Sequence, residues 1–214
     1  LLVVPAQIAL GLLLAVLLTK GLRGTGLLRA LLIIPWASSP LALGVVWSWI
    51  FAPDGGPPAG PAGASTGVLA SPTWALPAVA LVVIWTGAGH TSLLLAAGLA
   101  SIPRELVEAA RLDGATARQI FWSIEAPLLR PTLLLVATAA LIAVLNTFDQ
   151  VYALTRGGPD RATGVLAYTI YERAFVNWNM GEAAVMALVM TVMLLLVTGA
   201  QSLCLRGMSA HESD

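Results

Sequence analysis

Between Pro103 and Pro131 runs PRELVEAARLDGATARQIFWSIEAPLLRP, the longest charged stretch in a chain that is otherwise almost wholly apolar. Its chemistry is that of contact and not of catalysis. Glu108 is followed by two small residues, Ala109 and Ala110, and then by Arg111, Asp113 and Gly114. The stretch sits between two runs that could each cross a bilayer, and something outside the membrane is expected to grip it. A second set of polar residues lies within the apolar runs: Trp85, Thr86, His90, Thr91 and Ser92 in one, Asn146 in another, and Tyr152 beyond it. Polar groups inside a bilayer are costly and tend to face a cavity or a partner. His90, Thr91 and Asn146 could bond a solute, and Trp85 and Tyr152 could stack on a ring, as could Trp47. The competing reading is that small residues let helices pack closely and that the aromatic rings belong to an interfacial belt or a core. A lone histidine is more often satisfied by a backbone carbonyl than used for proton transfer.

These residues need elements to hold them, and composition says of what kind. Of 214 residues 58% are hydrophobic and 10% charged, with a mean hydropathy of +0.86. A soluble domain carries about 25% charged residues, so the class is an all-α integral membrane protein. Uncharged runs of about 20 residues, enough to span the hydrocarbon core, are expected at about 1–19, 27–51, 74–98, 131–154 and 183–203. The second contains Pro35 and Pro40. The third is interrupted by Thr86-Gly87-Ala88-Gly89-His90-Thr91-Ser92, and transporter sites often lie at such interruptions. Ala52 to Pro72 reads as a Gly/Pro-rich loop, and Ala162 to Trp178 as an amphipathic surface helix with Tyr168, Tyr171 and Phe175 at helical spacing. By helical rise Asn146 stands about 22 Å and Asp149 about 27 Å up the fourth span from Pro131. Asp149 is thereby expected at the outer interface, capping or pairing with Arg156.

Net charge is zero, which gives no bias toward nucleic acid. The single cysteine, Cys204, forms no internal disulfide and reads as helix filler. Lys20, Arg23, Arg29, Arg104, Arg111, Arg118, Arg130 and Arg206, eight of the eleven basic residues, fall on one side of the expected spans. The positive-inside rule makes that side cytoplasmic, together with the C-terminal tail 205–214. The first run shows neither the charged n-region nor the small-residue cleavage site of a signal peptide, and Leu1 reads as the start of a truncated chain. Five spans then put Leu1 outside, and a protein with both termini inside would have a sixth helix before it.

Within 103–130, Pro103 suits the first turn of a helix, Gly114 stops that helix, and Asp113 can cap the next. Ala117, Ile120, Phe121 and Ile124 make an apolar face at i, i+3, i+4 and i+7, and Pro127 is expected to end the second helix. Two short helices at an angle result, with Glu108, Arg111 and Asp113 near the bend. A bare membrane-surface hairpin packed on its own spans would show the same periodicity.

The order Glu108-Ala109-Ala110, three residues, Gly114, nine residues, Ile124, one residue, Ala126-Pro127 resembles the EAA motif of ABC-importer permeases, EAA-x3-G-x9-I-x-LP, with Ala126 in place of the usual Leu. The wider IPxxLxEAAxxDGA context is present from Ile102 to Ala115. A second match, Phe148-Asp149-x-Val-Tyr152-x-Leu154-Thr155-x-Gly157-Gly158-Pro159 with Thr163, Tyr168, Tyr171, Ala174 and Phe175, is similar to the carbohydrate branch, on the MalF-type side of the pair; Arg156 replaces the usual small residue. The two matches cover about Ile102 to Phe175.

The resemblance implies a MetI/MalF-like helical bundle whose loop is a coupling helix. Glu108 would meet a basic residue of a cytoplasmic ATPase, and Gly114 would make the bend. It implies an ABC ATPase dimer, a second homologous permease and an extracellular solute-binding protein as partners, and a carbohydrate-like solute: a sugar, an oligosaccharide or a glycerol-phosphate ester. No G-x-x-x-x-G-K-[ST] occurs and Lys20 is the only lysine. ATP and magnesium would therefore be bound by the ATPase partner, and this chain would be no enzyme itself. Neither a cofactor nor a metal site is read from the sequence. The alternative, an ion-coupled secondary transporter, would want carboxylates within the spans, and only Asp149 is offered.

Overall fold

Helices that are apolar on every side are at home in lipid or deep in a bundle, and most of this chain is of that kind. The computed structural model describes residues 2–19, 25–52 and 67–210. Leu1, the turn holding Lys20 and Arg23, most of the Gly/Pro-rich loop, the tail beyond 210 and the side chains of Cys204 and Arg206 lie outside the described residues. Among the described residues no strand forms. In chain order come α1 (Val3–Thr19), α2 (Thr25–Ala37), α3 (Pro40–Ile50), α4 (Pro72–Ala100), α5 (Arg104–Leu112), α6 (Ala117–Ile120), α7 (Ala126–Leu128), α8 (Arg130–Leu145), α9 (Asp149–Leu154), α10 (Leu166–Tyr171) and α11 (Met180–Ala210). Single π turns join α6 to α7 and extend α10 to Val176.

Two helical stretches, Pro72–Ala100 and Met180–Leu203, are long and apolar enough to cross a membrane unaided. The expected second span, 27–51, is instead α2 and α3 meeting at 98°. A residue before proline is pushed out of the helical region. Ser39, which precedes Pro40, is extended at φ −61°, ψ 123°, and the first helix stops there. The expected fourth span, 131–154, also breaks. Asn146 Nδ2 donates to the Ile142 carbonyl at 2.9 Å, and Thr147 Oγ1 donates to that of Ala143 at 3.2 Å. Side chains that bond nearby carbonyls offer the backbone an alternative to helix; α8 ends at Leu145, and α9 restarts at Asp149. The heights of Asn146 and Asp149 drawn from one unbroken helix are corrected accordingly.

The third span departs in the opposite sense. No interruption occurs at 86–92, and α4 runs unbroken for 29 residues. Its hydroxyls are spent on its own carbonyls: Thr86 Oγ1 on Val82 and Val83, each at 3.0 Å, and Ser92 Oγ on Gly89 at 2.7 Å. Its glycines serve packing. A Cβ on Gly89 would fall on the carbonyl oxygen of Leu32 in α2, and one on Gly87 on the Gln7 amide of α1. The surface helix expected over 162–178 is shorter, because the chain turns through Thr163 and Gly164 before α10 begins. At the other end α11 continues past residue 203, through the start of the expected tail, to Ala210.

Two cores share α4. Leu95 and Ala96 pack with Ala15, Leu18, Leu129 and Val136, whereas Val79 and Val82 pack with Val151, Leu154 and Tyr168. One helix thus ties α1 and α8 at one end to α9 and α10 at the other. Gly89→Val should force α4 off α2 and cost roughly 1–3 kcal/mol, the usual penalty for overpacking. Thermal unfolding of the purified membrane protein measures this. Gly26→Ala, where an added Cβ meets nothing within 4 Å, should leave the midpoint unchanged or slightly higher.

Candidate functional site

The loop after α4 is built by local rules. α5 ends in a Schellman arrangement. Gly114 takes φ +81°, a left-handed conformation costly for residues with a Cβ; its N–H bonds the Arg111 carbonyl at 3.1 Å and the Ala115 N–H bonds that of Ala110 at 2.9 Å. Asp113 is the C-cap of α5, at φ −75°, ψ 2°, and does not cap the next helix as expected. Thr116, at φ −70°, ψ 156°, is that N-cap. Its N–H donates to Gln119 Oε1 at 2.8 Å while its Oγ1 accepts from the Gln119 N–H at 3.4 Å, a reciprocal capping box. Pro127 does not end the second helix; it lies inside α7, behind the π turn, and the chain turns at Leu129 into α8. The segments 117–128 and 130–145 meet at 68°.

This hairpin turns one face outward. Glu108, Ala109, Arg111, Asp113 and Gly114 are exposed, Ala110 is half-buried, and Ile120 is the buried anchor. Leu112 is 88% exposed, one helical turn from Glu108 and Ala109. Sequence reasoning passed over it, although a large apolar residue four positions after Glu108 on an amphipathic helix was a readable signal. Glu108 and Arg111 also line a cleft of about 760 Å³ between the hairpin and the ends of α1, α2 and α4.

A second cavity, of about 350 Å³, lies where the α2–α3 elbow and the α8–α9 break face α4. Of the five pathway candidates, His90, Thr91 and Asn146 line it. The His90 ring stacks on Trp36, centroids 4.5 Å apart and planes 10° apart. Thr91 is almost fully buried and accepts a 3.0 Å hydrogen bond from Gln7 Nε2, which joins α4 to α1. Trp36, Gln7, Asp149 and Gln150 also line this space and were not singled out as pathway residues. Asp149 is not ion-paired with Arg156, whose guanidinium instead lies 6.0 Å from the centroid of the Tyr152 ring.

Trp85 and Tyr152 do not line the cavity. Trp85 meets Trp47 edge-on at 5.4 Å. Tyr152 belongs to an aromatic cluster with Phe148 at 5.5 Å and Tyr171 at 5.6 Å. Tyr168 completes that cluster beside Gly157, which takes φ +79° and where an added Cβ would fall 2.6 Å from the Tyr168 ring. Burial pushes the Tyr168 phenol above its ordinary value, and the Glu172 carboxylate adds to the shift. Thr155 and Thr163 hydroxyls share a 2.7 Å hydrogen bond that closes the intervening turn. Among the described residues no cluster of three or more His, Cys, Asp or Glu side chains could hold a metal ion.

A helical membrane bundle with a capped hairpin at one end and a polar cavity at two helix breaks is the architecture of a transport subunit. Residues 7–209 match the family described as binding-protein-dependent transport system inner membrane component, and the chain belongs to that family. It is 34% identical over 198 residues to the multiple sugar-binding transport system permease protein MsmF of Streptococcus mutans, covering 91% of this chain and 68% of that protein. It is likewise 34% identical over 200 residues to the sn-glycerol-3-phosphate transport system permease protein UgpA of Agrobacterium fabrum, covering 91% and 68%. Its fold superposes on a chain of a bacterial ABC transporter involved in the import of the acidic polysaccharide alginate, with a TM-score of 0.75 at 21% identity, covering 92% of this chain and 71% of that one.

The capping geometry gives a direct check. Thr116→Ala should cost the second loop helix about 1 kcal/mol and speed amide exchange at Gln119 by roughly fivefold, the same free energy read as an opening equilibrium. Hydrogen exchange read by mass spectrometry measures it, and Asp113→Ala should leave that amide unchanged.

Proposed function

We propose that this chain is the membrane-spanning permease subunit of an ATP-driven ABC importer for a carbohydrate or a carbohydrate-like solute. The observation that carries the reading is the EAA-type hairpin itself: a rigid Schellman bend at Gly114 presents Glu108, Ala109 and Leu112 on one exposed face. Small residues and one charge beside a projecting leucine suit a socket on another protein. The partner is an ABC ATPase dimer, which binds ATP and magnesium, and this chain does no chemistry of its own. Closure of the ATPase dimer moves the hairpin as a rigid body. Because Leu129 at the foot of the hairpin packs with Leu95 and Val136, that motion is passed to α4 and α8 and so to the cavity. A second homologous permease completes the pathway, and an extracellular solute-binding protein, in keeping with the family's description, delivers the solute. The hairpin and the C-terminus face the cytoplasm in this reading, which the distribution of basic residues supports.

The cavity is the solute pathway in this reading. Trp36 offers an aromatic face, and His90, Asn146 and Gln150 offer polar groups, the combination by which proteins hold polyhydroxylated rings. Family membership leaves no role for the ion-coupled secondary transporter weighed from the sequence.

Glu108→Ala should lower both ATPase co-purification and solute uptake by about tenfold or more, as loss of one partner of an interfacial charge contact does. Gly114→Val should act in the same direction through the bend. Unchanged assembly and uptake in both variants would sink the coupling role. Trp36→Ala and Asn146→Ala should instead spare co-purification and reduce uptake; a variant with untouched uptake and affinity removes that residue from the pathway.

A further inference from the structure

Among the described residues that line the cavity at the two helix breaks, Asp149 is the one side chain with a formal charge, and no lysine or arginine is present. Among the described residues no ion pair cancels its charge. The ion pairs among the described residues are Arg161–Glu172 and Arg173–Glu182, and Arg156, seven positions along the chain, is turned toward the Tyr152 ring. The C-terminal end of α8 and the N-terminal end of α9 meet at this break and carry partial charges of opposite sign, so the Asp149 carboxylate and not the helix ends sets the sign of the chamber. Asn146 and Thr147 already take two of the last carbonyls of α8 with their side chains. What remains for a solute is a negatively biased chamber with a half-exposed indole, an imidazole, two side-chain amides and a carboxylate.

We infer that this cavity passes uncharged polyols and rejects solutes bearing a phosphate or carboxylate, with Asp149 as the excluding charge. The inference rests on the reading of the cavity as the solute pathway, and it narrows the substrate class. The relatives do not decide the matter, since one is named for sugars and another for a phosphate ester. The charge of the lining does. An anionic solute would have to approach an unpaired carboxylate in a partly desolvated space, where like charges repel far more strongly than in water. Rejection by a repulsive element is an effective route to specificity. A neutral polyol meets no such barrier, and it can donate hydroxyl hydrogens to the Asp149 carboxylate while it accepts from Asn146 and Gln150 amides. Charge-assisted bonds of that kind are the stronger sort.

The test uses the complete transporter with its own partner subunits and binding protein, reconstituted in proteoliposomes. Matched probes are supplied in pairs: glucose and glucose 6-phosphate, maltose and maltobionate, glycerol and sn-glycerol 3-phosphate. Accumulation and solute-stimulated ATP hydrolysis are read for each. The neutral member of the transported pair should exceed its acidic counterpart by at least about tenfold, the order expected of one unscreened like charge. Asp149→Asn should shrink that ratio roughly tenfold, and Asp149→Lys should shrink or reverse it. Co-purification of the ATPase shows that each variant is assembled. The binding protein is common to all three, so a change in the ratio belongs to the cavity. Preferential transport of the acidic member by the unaltered protein would overturn the inference, and so would a ratio that both variants leave unmoved. Failure to transport any probe, with the ATPase still bound, would instead remove the carbohydrate-import reading on which the inference stands.

Discussion

The closest constraint in this molecule is the approach of α4 to its neighbours. At Gly89 the backbone of α4 comes so near the Leu32 carbonyl of α2 that no Cβ fits between them, and at Gly87 it lies against the Gln7 side chain of α1. In lipid, helices gain nothing from hiding apolar surface from one another, so tight van der Waals contact and buried hydrogen bonds must hold them. The Gln7–Thr91 bond supplies one of the latter at this seam. With α4 fixed there, its two ends reach different cores. One end carries Leu95 and Ala96 toward α1 and α8, above the hairpin, and the other carries Val79 and Val82 toward α9 and α10. The distance between hairpin and cavity is therefore set by a single unbroken helix.

The cavity is made by the opposite device. Backbone that departs from helix within a membrane is tolerated only where protein or a water-filled space receives it, and both departures border the same space. Pro40 ends α2 by excluding Ser39 from the helical region, and Asn146 with Thr147 ends α8 by competing for its carbonyls. Each break frees polar groups, and each brings a residue useful to a solute: Trp36 at the first, Asp149 and Gln150 at the second. A rigid α4 and two broken neighbours together make a pathway with one fixed wall.

What the sequence disclosed follows the range of the forces involved. The hairpin was legible because it is local. Gly114, the Ala109–Ala110 pair and the apolar face ending at Ile124 act over a few residues; the second cap, Thr116 and not Asp113, the place of Pro127 inside the helix and the projecting Leu112 were misjudged or missed. Apolar spans were legible for the same reason. The breaks were not. Gly87, Gly89, Thr91 and Ser92 look like an interruption by composition, yet tertiary contact uses them to close a helix–helix seam, whereas Asn146 and Thr147 look like ordinary span residues and end a helix. Once those phases shift, the side chains that face the cavity shift too. Trp85 and Tyr152 turn to other aromatic neighbours, and Trp36 and Asp149 enter a space where the linear reading had not put them.

The contrast between α4 and α11 reaches beyond mechanics. In its most apolar 18-residue window α11 is only 6% buried, against 44% for α4. Within this chain, α11 is asked for little more than greasiness, so Leu, Val, Met and Ile can trade places along it with little penalty as the gene drifts. The face of α4 at Gly87 and Gly89 has no such latitude, because almost any replacement adds atoms where none fit. Over many generations, the outer helix should come to record little beyond ancestry and base composition. The inner one should hold nearly still, and a variant that slackens this seam would be lost before its effect on solute choice could be selected.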